Sequence, residues 1–328
     1  MENELVNRAG IPFRSIPAAG LHGVDLRALP GNLLRLFQGF MAARKVLREF
    51  QPDVLFFTGG YVAVPVAVAG RRLPALAYVP DTEPALALKS VARFVDRVAV
   101  TIADSKAYFS ARKPVSVTGY PLRREVQAVQ KAQARAHFGL DPQRPLLLVT
   151  GGSLGARSIN QALMAILPEI LPEMQVLHIT GKTTWPEFEV ERASLAPELA
   201  TNYRPFPYLH STEMAQAYAA ADLVVSRAGA STLGEFPYFG LPAILVPYPH
   251  AWRYQKVNAD YLVRQGGAVM LEDARLSETL LPTIRTIMGD TSRRTQMAAQ
   301  MKSLAVPDAA DKIANILLQM AAGQEGSA

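Results

Sequence analysis

Short apolar runs that do not alternate punctuate this chain. They fall at 54–57, 75–78, 98–102, 115–118, 146–150, 175–179, 223–226 and 243–246, separated by stretches of helical periodicity. A strand with one wet face alternates apolar and polar residues. A strand covered on both faces reads as a continuous apolar run. Helical crossovers that join parallel strands cover both faces of a sheet, so the pattern predicts an α/β protein with doubly wound parallel sheets.

At 328 residues the chain exceeds what one core usually organises, so two domains are expected. Gly119-Tyr-Pro121 and the charged stretch 123–135 read as their connection, with the second core starting near Asp141-Pro142. Residues 307–322 read as a closing helix, with Pro307 at its start and Ile313, Ile316, Leu317 and Met320 at helical spacing. The expected division is 1–122, 123–306 and a helix within 307–328.

Cysteine is absent, which excludes disulfides and thiolate chemistry and suits a reducing compartment. No apolar run reaches the roughly 18 residues that span a bilayer, and no signal-peptide pattern opens the chain. Residues 1–140 hold 19 Lys and Arg against 10 Asp and Glu, while the remainder holds 15 against 18. A basic half joined to an acidic half suits an anionic surface or ligand on one side, or is chance placement on solvated faces. No nucleic-acid partner is expected.

Leu146-Leu-Leu-Val-Thr150 runs into Gly151-Gly-Ser-Leu-Gly155-Ala156 and then a helical stretch. Glycines let backbone amides approach a phosphate, and the helix N-terminus adds positive potential. Tight strand-to-helix turns also use glycine for sterics alone. A dinucleotide fold wants Gly-x-Gly-x-x-Gly and an acid at the end of the next strand. Here that strand ends His178-Ile-Thr-Gly181, which disfavours NAD and leaves a nucleoside diphosphate.

A second such junction is Ser226-Arg-Ala-Gly-Ala-Ser-Thr-Leu-Gly-Glu-Phe236. Ser231 or Thr232 is placed to cap the helix and offer its amides to a diphosphate. Glu235, one turn in, suits the vicinal hydroxyls of a ribose or simply complements the helix dipole. At a third junction, Gln255 and Asn258 share one helix face, and neutral amides suit sugar hydroxyls.

These segments, together with Thr58-Gly-Gly-Tyr-Val62, Gly119-Tyr-Pro-Leu-Arg123, Gly240-Leu-Pro-Ala-Ile-Leu-Val-Pro247 and Gln255-Lys-Val-Asn-Ala259, resemble a bacterial family. It is the UDP-N-acetylglucosamine:undecaprenyl-pyrophosphoryl-muramoyl-pentapeptide N-acetylglucosaminyltransferases. The resemblance implies a GT-B fold: two Rossmann-like domains facing a cleft, the C-terminal one binding UDP-GlcNAc, the last helix crossing back to the first domain. It implies inverting transfer of N-acetylglucosamine to an undecaprenyl-pyrophosphate-linked acceptor, lipid I, giving lipid II for peptidoglycan. No cofactor and no metal are implied. Position by position, Gly152 and Ser153 match the diphosphate loop, Arg123 an arginine near the diphosphate, and Leu209 the uracil contact. Ala230, Ser231, Thr232, Leu233, Gly234 and Glu235 match the nucleotide loop, with Glu235 on the ribose. Gln255 matches the glutamine that reads the sugar. Another lipid acceptor such as diacylglycerol, or a non-catalytic donor-binding module, are the rival readings.

The family opens with a strand and a Gly-Gly-Thr-Gly-Gly-His loop, and this sequence has neither, so its first domain is expected to be incomplete at its start. None of His22, His137, His178, His210 or His250 takes the place of that loop's histidine. In Tyr78-Val-Pro-Asp-Thr-Glu-Pro84, Asp81 falls at a family asparagine position. Asp81 or Glu83 is the candidate general base if burial raises its pKa; otherwise the segment is a turn framed by prolines.

Residues 33–48 form a helix that is apolar on more than one face. Leu34, Phe37 and Met41 make one stripe; Leu33, Leu36 and Phe40 make another; Arg35, Arg44, Lys45 and Arg48 flank them. An apolar surface rimmed with basic groups suits an anionic bilayer, whereas burial on two sides is the alternative. The resembling family docks through this helix, which puts Leu34, Phe37 and Phe40 at membrane-facing positions and the protein on the cytoplasmic face of the cell membrane, peripherally.

Overall fold

The computed structural model describes residues 3, 6–7, 9–19, 29–126, 129–152, 155–192 and 196–325. The expected comparison of the opening segment with the family falls partly outside them, as does His22. Two compact units form: one draws on residues 1–80, 84–117 and 311–328, the other on 81–83 and 118–310.

In the first unit, α1 (Leu29–Phe50) leads to β1 (Leu55–Phe57), α2 (Ala63–Ala69), β2 (Ala75–Val79), α3 (Leu86–Val91), β3 (Arg97–Val100) and β4 (Val115–Val117). The strands pair in parallel in the order β1-β2-β3-β4. Leu55, Phe57, Ala75, Ala77, Val79, Val98 and Val100 pack under α2 and α3. The opposite face, Leu76, Tyr78 and Ala99, is covered by Ile313, Ile316, Leu317 and Met320. Those four belong to the last helix of the chain, so the apolar stripe expected at 307–322 closes the sheet of this unit.

Helix α1 is buried along one side only. Ala43 is buried, and a side chain at Gly39 would strike the Pro17 carbonyl. Leu33, Leu34, Phe37 and Met41 are each at least half exposed, which removes the alternative of burial on two sides. Of the expected membrane residues, Phe40 is only half-buried rather than exposed, and the Arg44 guanidinium lies 5.9 Å from its ring centre. Among the described residues no helix is long and apolar enough to cross a membrane.

The second unit runs α4 (Lys131–His137), β5 (Leu146–Thr150), α5 (Arg157–Ile170), β6 (Gln175–Ile179), α6 (Trp185–Arg192), α7 (Pro197–Ala200), β7 (Tyr203–Phe206), α8 (Ser211–Ala220) and β8 (Leu223–Ser226). It continues with α9 (Thr232–Phe239), β9 (Ala243–Leu245), α10 (Trp252–Arg264), β10 (Ala268–Met270), α11 (Leu276–Gly289) and α12 (Thr291–Ser303). The closing helix, α13, is Ala309–Glu325. The sheet is parallel throughout, in the order β10-β9-β8-β5-β6-β7. Alternate residues of one strand enter different cores: Leu147 and Val149 pack with α5 and α11, Leu146 and Leu148 with α8 to α10. That is why these strands read as unbroken apolar runs.

Two strands lie outside the runs expected from the sequence. β7 is Tyr-Arg-Pro-Phe and β10 is Ala-Val-Met; both are edges, where a proline and short length are tolerated. The charged stretch 123–135 lies in the second unit. Arg135 is buried, and its guanidinium donates to Asp222 (2.7 Å) and to the carbonyls of Ala220 and Pro142. A guanidinium with that many partners is stable inside.

Candidate active site

The winding of the second sheet reverses at β5, which has β6 on one side and β8 on the other. The last residues of β5 and β8, Thr150 and Ser226, are paired. Open α/β sheets bind ligands beyond the carboxyl ends of their strands at such a switch point. Both glycine-bearing junctions begin there. With the loops after β6, β7 and β9 they wall a cavity of about 1020 Å³.

The first wall is the turn from β5 to α5. Gly152 and Gly155 have φ of 82° and 79°, and the Gly155 N–H donates to the Gly152 carbonyl at 3.0 Å. A side chain on Gly155 would lie well under 3.0 Å from the Thr180 carbonyl oxygen. Glycine is therefore needed here for both dihedral and space. Among the described residues no side chain caps the start of α5, which suits its first-turn amides to a ligand anion. Ser153 lies outside the described residues.

The second wall is the turn from β8 to α9. The sequence places Ser231 or Thr232 as a helix cap, and neither caps. Thr232 is buried, and its hydroxyl donates back to the Gly229 carbonyl at 2.7 Å, tightening the turn. Glu235 lines the cavity and accepts a hydrogen bond from the Tyr218 hydroxyl at 3.0 Å. Burial raises its pKa, opposed by hydrogen bonds from Ser231 and Tyr218 and by the Arg123 charge. Ala230 is half-buried, and Leu233 turns into the core, leaving only its backbone for a ligand. A side chain on Gly234 would meet the Tyr120 Cβ at 2.5 Å, so the bare α-carbon seats Tyr120 against the first turn of α9.

Leu209 lines the cavity while packing into the core beside Phe206 and Met214. The Gln255 side-chain oxygen accepts from the Tyr248 N–H at 2.9 Å, which leaves its amide nitrogen as the remaining donor. Arg123 is exposed and bonded to the Ser211 hydroxyl. It lies outside the cavity wall, but its charge reaches Glu235 and Tyr120.

A polar cluster on the wall carries no sequence signal as a set. Arg227 donates to Asp273 and to the Ser158 hydroxyl (2.9 Å), Ser158 donates to Asp273 (2.6 Å), and the guanidinium lies 5.3 Å from the Tyr248 ring centre. Arg227 opens the motif singled out above; Ser158 and Asp273 lie in unremarkable stretches. Tyr120 likewise carries no sequence signal of its place in the site. Its phenol pKa is raised by burial and by the charges of Glu235 and Asp81, and lowered by Arg123, so these four groups share one neighbourhood.

Asn258 does not read a sugar. It is fully buried and its amide is spent: it donates to Asp81 Oδ1 (2.8 Å) and to the Ala228 carbonyl (3.1 Å), and accepts from the Thr82 N–H (2.9 Å). The two acids of the 81–83 segment differ sharply. Glu83 is buried and takes a two-pronged contact from Arg253, at 3.0 and 2.6 Å. Asp81 is half-buried, and its pKa is raised by burial against the Asn258 hydrogen bond. A carboxylate gripped at both oxygens by a guanidinium is a poor base; one raised by burial is a better one.

His178 is fully buried between the Tyr203 hydroxyl (2.8 Å) and Asn160 (3.0 Å), and burial lowers its pKa to about 3. It stays neutral and braces β6.

Residues 146–313 match the Glycosyltransferase family 28 C-terminal domain, and residues 1–100 match its N-terminal domain. A UDP-N-acetylglucosamine–N-acetylmuramyl-(pentapeptide) pyrophosphoryl-undecaprenol N-acetylglucosamine transferase of Roseiflexus sp. (strain RS-1) is 39% identical over 97% of this chain and 81% of its own. One of the same name from Acidothermus cellulolyticus is 39% identical over 99% of this chain and 88% of its own. In structure, MurG of Acinetobacter baumannii superposes with a TM-score of 0.75 at 24% identity, covering 97% of this chain and 88% of that one. A UDP-GlcNAc 2-epimerase from Neisseria meningitidis, solved with UDP-GlcNAc, gives 0.64 at 12% identity, covering 97% and 88%. The fold is GT-B, and the chain is a glycosyltransferase. With family matches to both halves and relatives aligned over nearly all of its length, this chain belongs to glycosyltransferase family 28, among the UDP-N-acetylglucosamine–N-acetylmuramyl-(pentapeptide) pyrophosphoryl-undecaprenol N-acetylglucosamine transferases.

Proposed function

We propose that this chain transfers N-acetylglucosamine from UDP-GlcNAc to the undecaprenyl-pyrophosphate-linked muramyl pentapeptide, lipid I, with inversion, giving lipid II. The observation that carries the reading is the cavity at the switch point. It has helix amides on one wall and a half-buried Glu235, held by the Tyr218 hydroxyl, on the other. A uridine diphosphate has complementary chemistry: anionic oxygens for the amides and vicinal ribose hydroxyls for the carboxylate. Leu209 and its backbone would meet the uracil, and the Gln255 amide would read the sugar.

In the reaction, the acceptor's C4 hydroxyl attacks the anomeric carbon. The new C–O bond forms as the bond to the diphosphate breaks, and negative charge grows on departing UDP. Amides of the turn after β5, the α5 dipole and Arg123 would stabilise that charge, already oriented before it develops. Asp81 would take the hydroxyl proton, and Glu83 would act through its ion pair with Arg253 as a brace for the same loop.

The acceptor is a lipid, and α1 supplies a surface to meet it. Leu33, Leu34, Phe37 and Met41 are exposed on a helix that also carries Arg35, Arg44, Lys45 and Arg48. Insertion of these side chains beside anionic head groups would hold the protein peripherally on the cytoplasmic membrane face, where nucleotide sugars are present. Conversion of radiolabelled UDP-GlcNAc and lipid I to lipid II tests the activity. Absence of transfer by folded protein in anionic vesicles, with UDP binding intact, would refute it.

A further inference from the structure

One buried amide connects the segment carrying Asp81 to the loop carrying Glu235. The Nδ2 group of Asn258 donates both its hydrogens, to Asp81 Oδ1 at 2.8 Å and to the Ala228 carbonyl at 3.1 Å. Its Oδ1 accepts the Thr82 N–H at 2.9 Å. Ala228 is itself fully buried and enters the turn whose Gly229 carbonyl takes both the Thr232 N–H and the Thr232 hydroxyl. Three residues earlier on α10, Gln255 stands on the cavity wall. Asn258 is therefore the inward-facing partner of a helix turn whose outer residue faces ligand.

We infer that Asn258 is a positioning residue: its amide locks the Asp81 carboxylate in register with the nucleotide loop, so that the acid is aligned by the same backbone that holds the donor. This rests on the reading of Asp81 as the base. An amide suits the task because it donates to the carboxylate and the carbonyl while accepting from the backbone N–H, which no ionised side chain does. An unpaired amide here would be costly, since buried polar groups lose their water. The charged surroundings of Asp81 are Glu83 on its own loop, held by Arg253 of α10, and the neighbourhood of Tyr120, which Arg123 and Glu235 of α9 share.

The test compares Asn258→Asp, Asn258→Ser, Asp81→Asn and Asp81→Asn/Asn258→Ser in the full chain, with lipid I as acceptor. Unfolding and UDP calorimetry check that each variant folds. Asn258→Asp puts a second carboxylate against Asp81, which raises the pKa of the pair. The expected result is a kcat about 30-fold or more lower, a KM for UDP-GlcNAc changed only a few-fold, and an acidic limb of the kcat–pH profile shifted up by about one unit. Asn258→Ser should also lower kcat, and its effect should shrink to about twofold in the Asp81→Asn background. An unmoved acidic limb in folded Asn258→Asp would overturn the inference, and so would an undiminished Asn258→Ser effect in the double variant. Wild-type kcat in Asp81→Asn alone would instead overturn the assignment of Asp81 as base.

Discussion

Gly155→Ala and Gly152→Ala separate two demands that the diphosphate turn makes of its glycines. Both residues hold a left-handed φ, 79° and 82°, which costs a non-glycine residue about 1–2 kcal/mol. Only Gly155 adds a steric demand. Its new methyl would meet the Thr180 carbonyl, and that oxygen is pinned by Asn160 Nδ2 at 2.8 Å and the Thr184 hydroxyl at 2.6 Å. Overpacking against a group that cannot retreat adds about 1–3 kcal/mol, for a total near 3 kcal/mol. At about 2–4 °C per kcal/mol for a unit of this size, Gly155→Ala should lower the Tm by roughly 6–12 °C and Gly152→Ala by roughly half that or less. The order should reverse for donor affinity. A methyl on Gly152 meets nothing within 4 Å among the described residues, and Gly152 is on the cavity wall, so the methyl occupies ligand space. Thermal unfolding and UDP calorimetry on both variants decide the matter. Equal loss of stability would refute the steric reasoning at Thr180.

Glu235→Ala should weaken UDP-GlcNAc binding by roughly 1.5–3 kcal/mol through loss of a charge-assisted contact, and unchanged calorimetric affinity in folded protein would remove its ribose role. Asp81→Asn should cut turnover by about 10²–10⁴-fold with donor affinity retained. Glu83→Gln should act mainly on stability because it breaks the Arg253 contact, and the opposite ranking in kcat would exchange their roles. Leu34→Ser/Phe37→Ser should lower partition into anionic vesicles roughly a hundredfold, as two large apolar side chains lose their burial, and high salt should weaken wild-type binding. Vesicle binding unaffected by either would exclude this face. His178 has a folded pKa of about 3, below its unfolded value, so the unfolded chain takes up the proton first on acidification. Its contribution is complete above about pH 6.5 and falls towards pH 3 by about 1.4 kcal/mol per unit. Unfolding free energies of His178→Gln should show a flatter slope in that window, and an identical slope would contradict the assignment.

Much of the second unit is legible without coordinates. The strands at 146–150, 175–179 and 223–226 fall where their apolar runs predict, because burial on both faces leaves a signal inside each run. The turns after β5 and β8 are legible for a related reason. A left-handed backbone or a close approach restricts the residue at that very position, as at Gly155 and Gly234. The edge strands β7 and β10 are not: Arg204 and Pro205 interrupt the first, and the second is only three residues long, which an edge tolerates.

What the tertiary structure alone decided are the partnerships. Gln255 and Asn258 are equivalent amides in sequence, yet one faces the cavity and the other is fully buried and spent on Asp81, Thr82 and Ala228. Asp81 and Glu83 are equivalent acids, yet Arg253 grips Glu83 at both oxygens while the Asn258 amide donates to Asp81. Arg135 looks like part of a solvated linker until Asp222 arrives beside it. Each outcome depends on a residue many positions away in the chain. Local sequence sets which hydrogen bonds and charges a side chain has to offer, but only the packed fold brings the distant group that takes them, and a buried polar group adopts the role its partner leaves it.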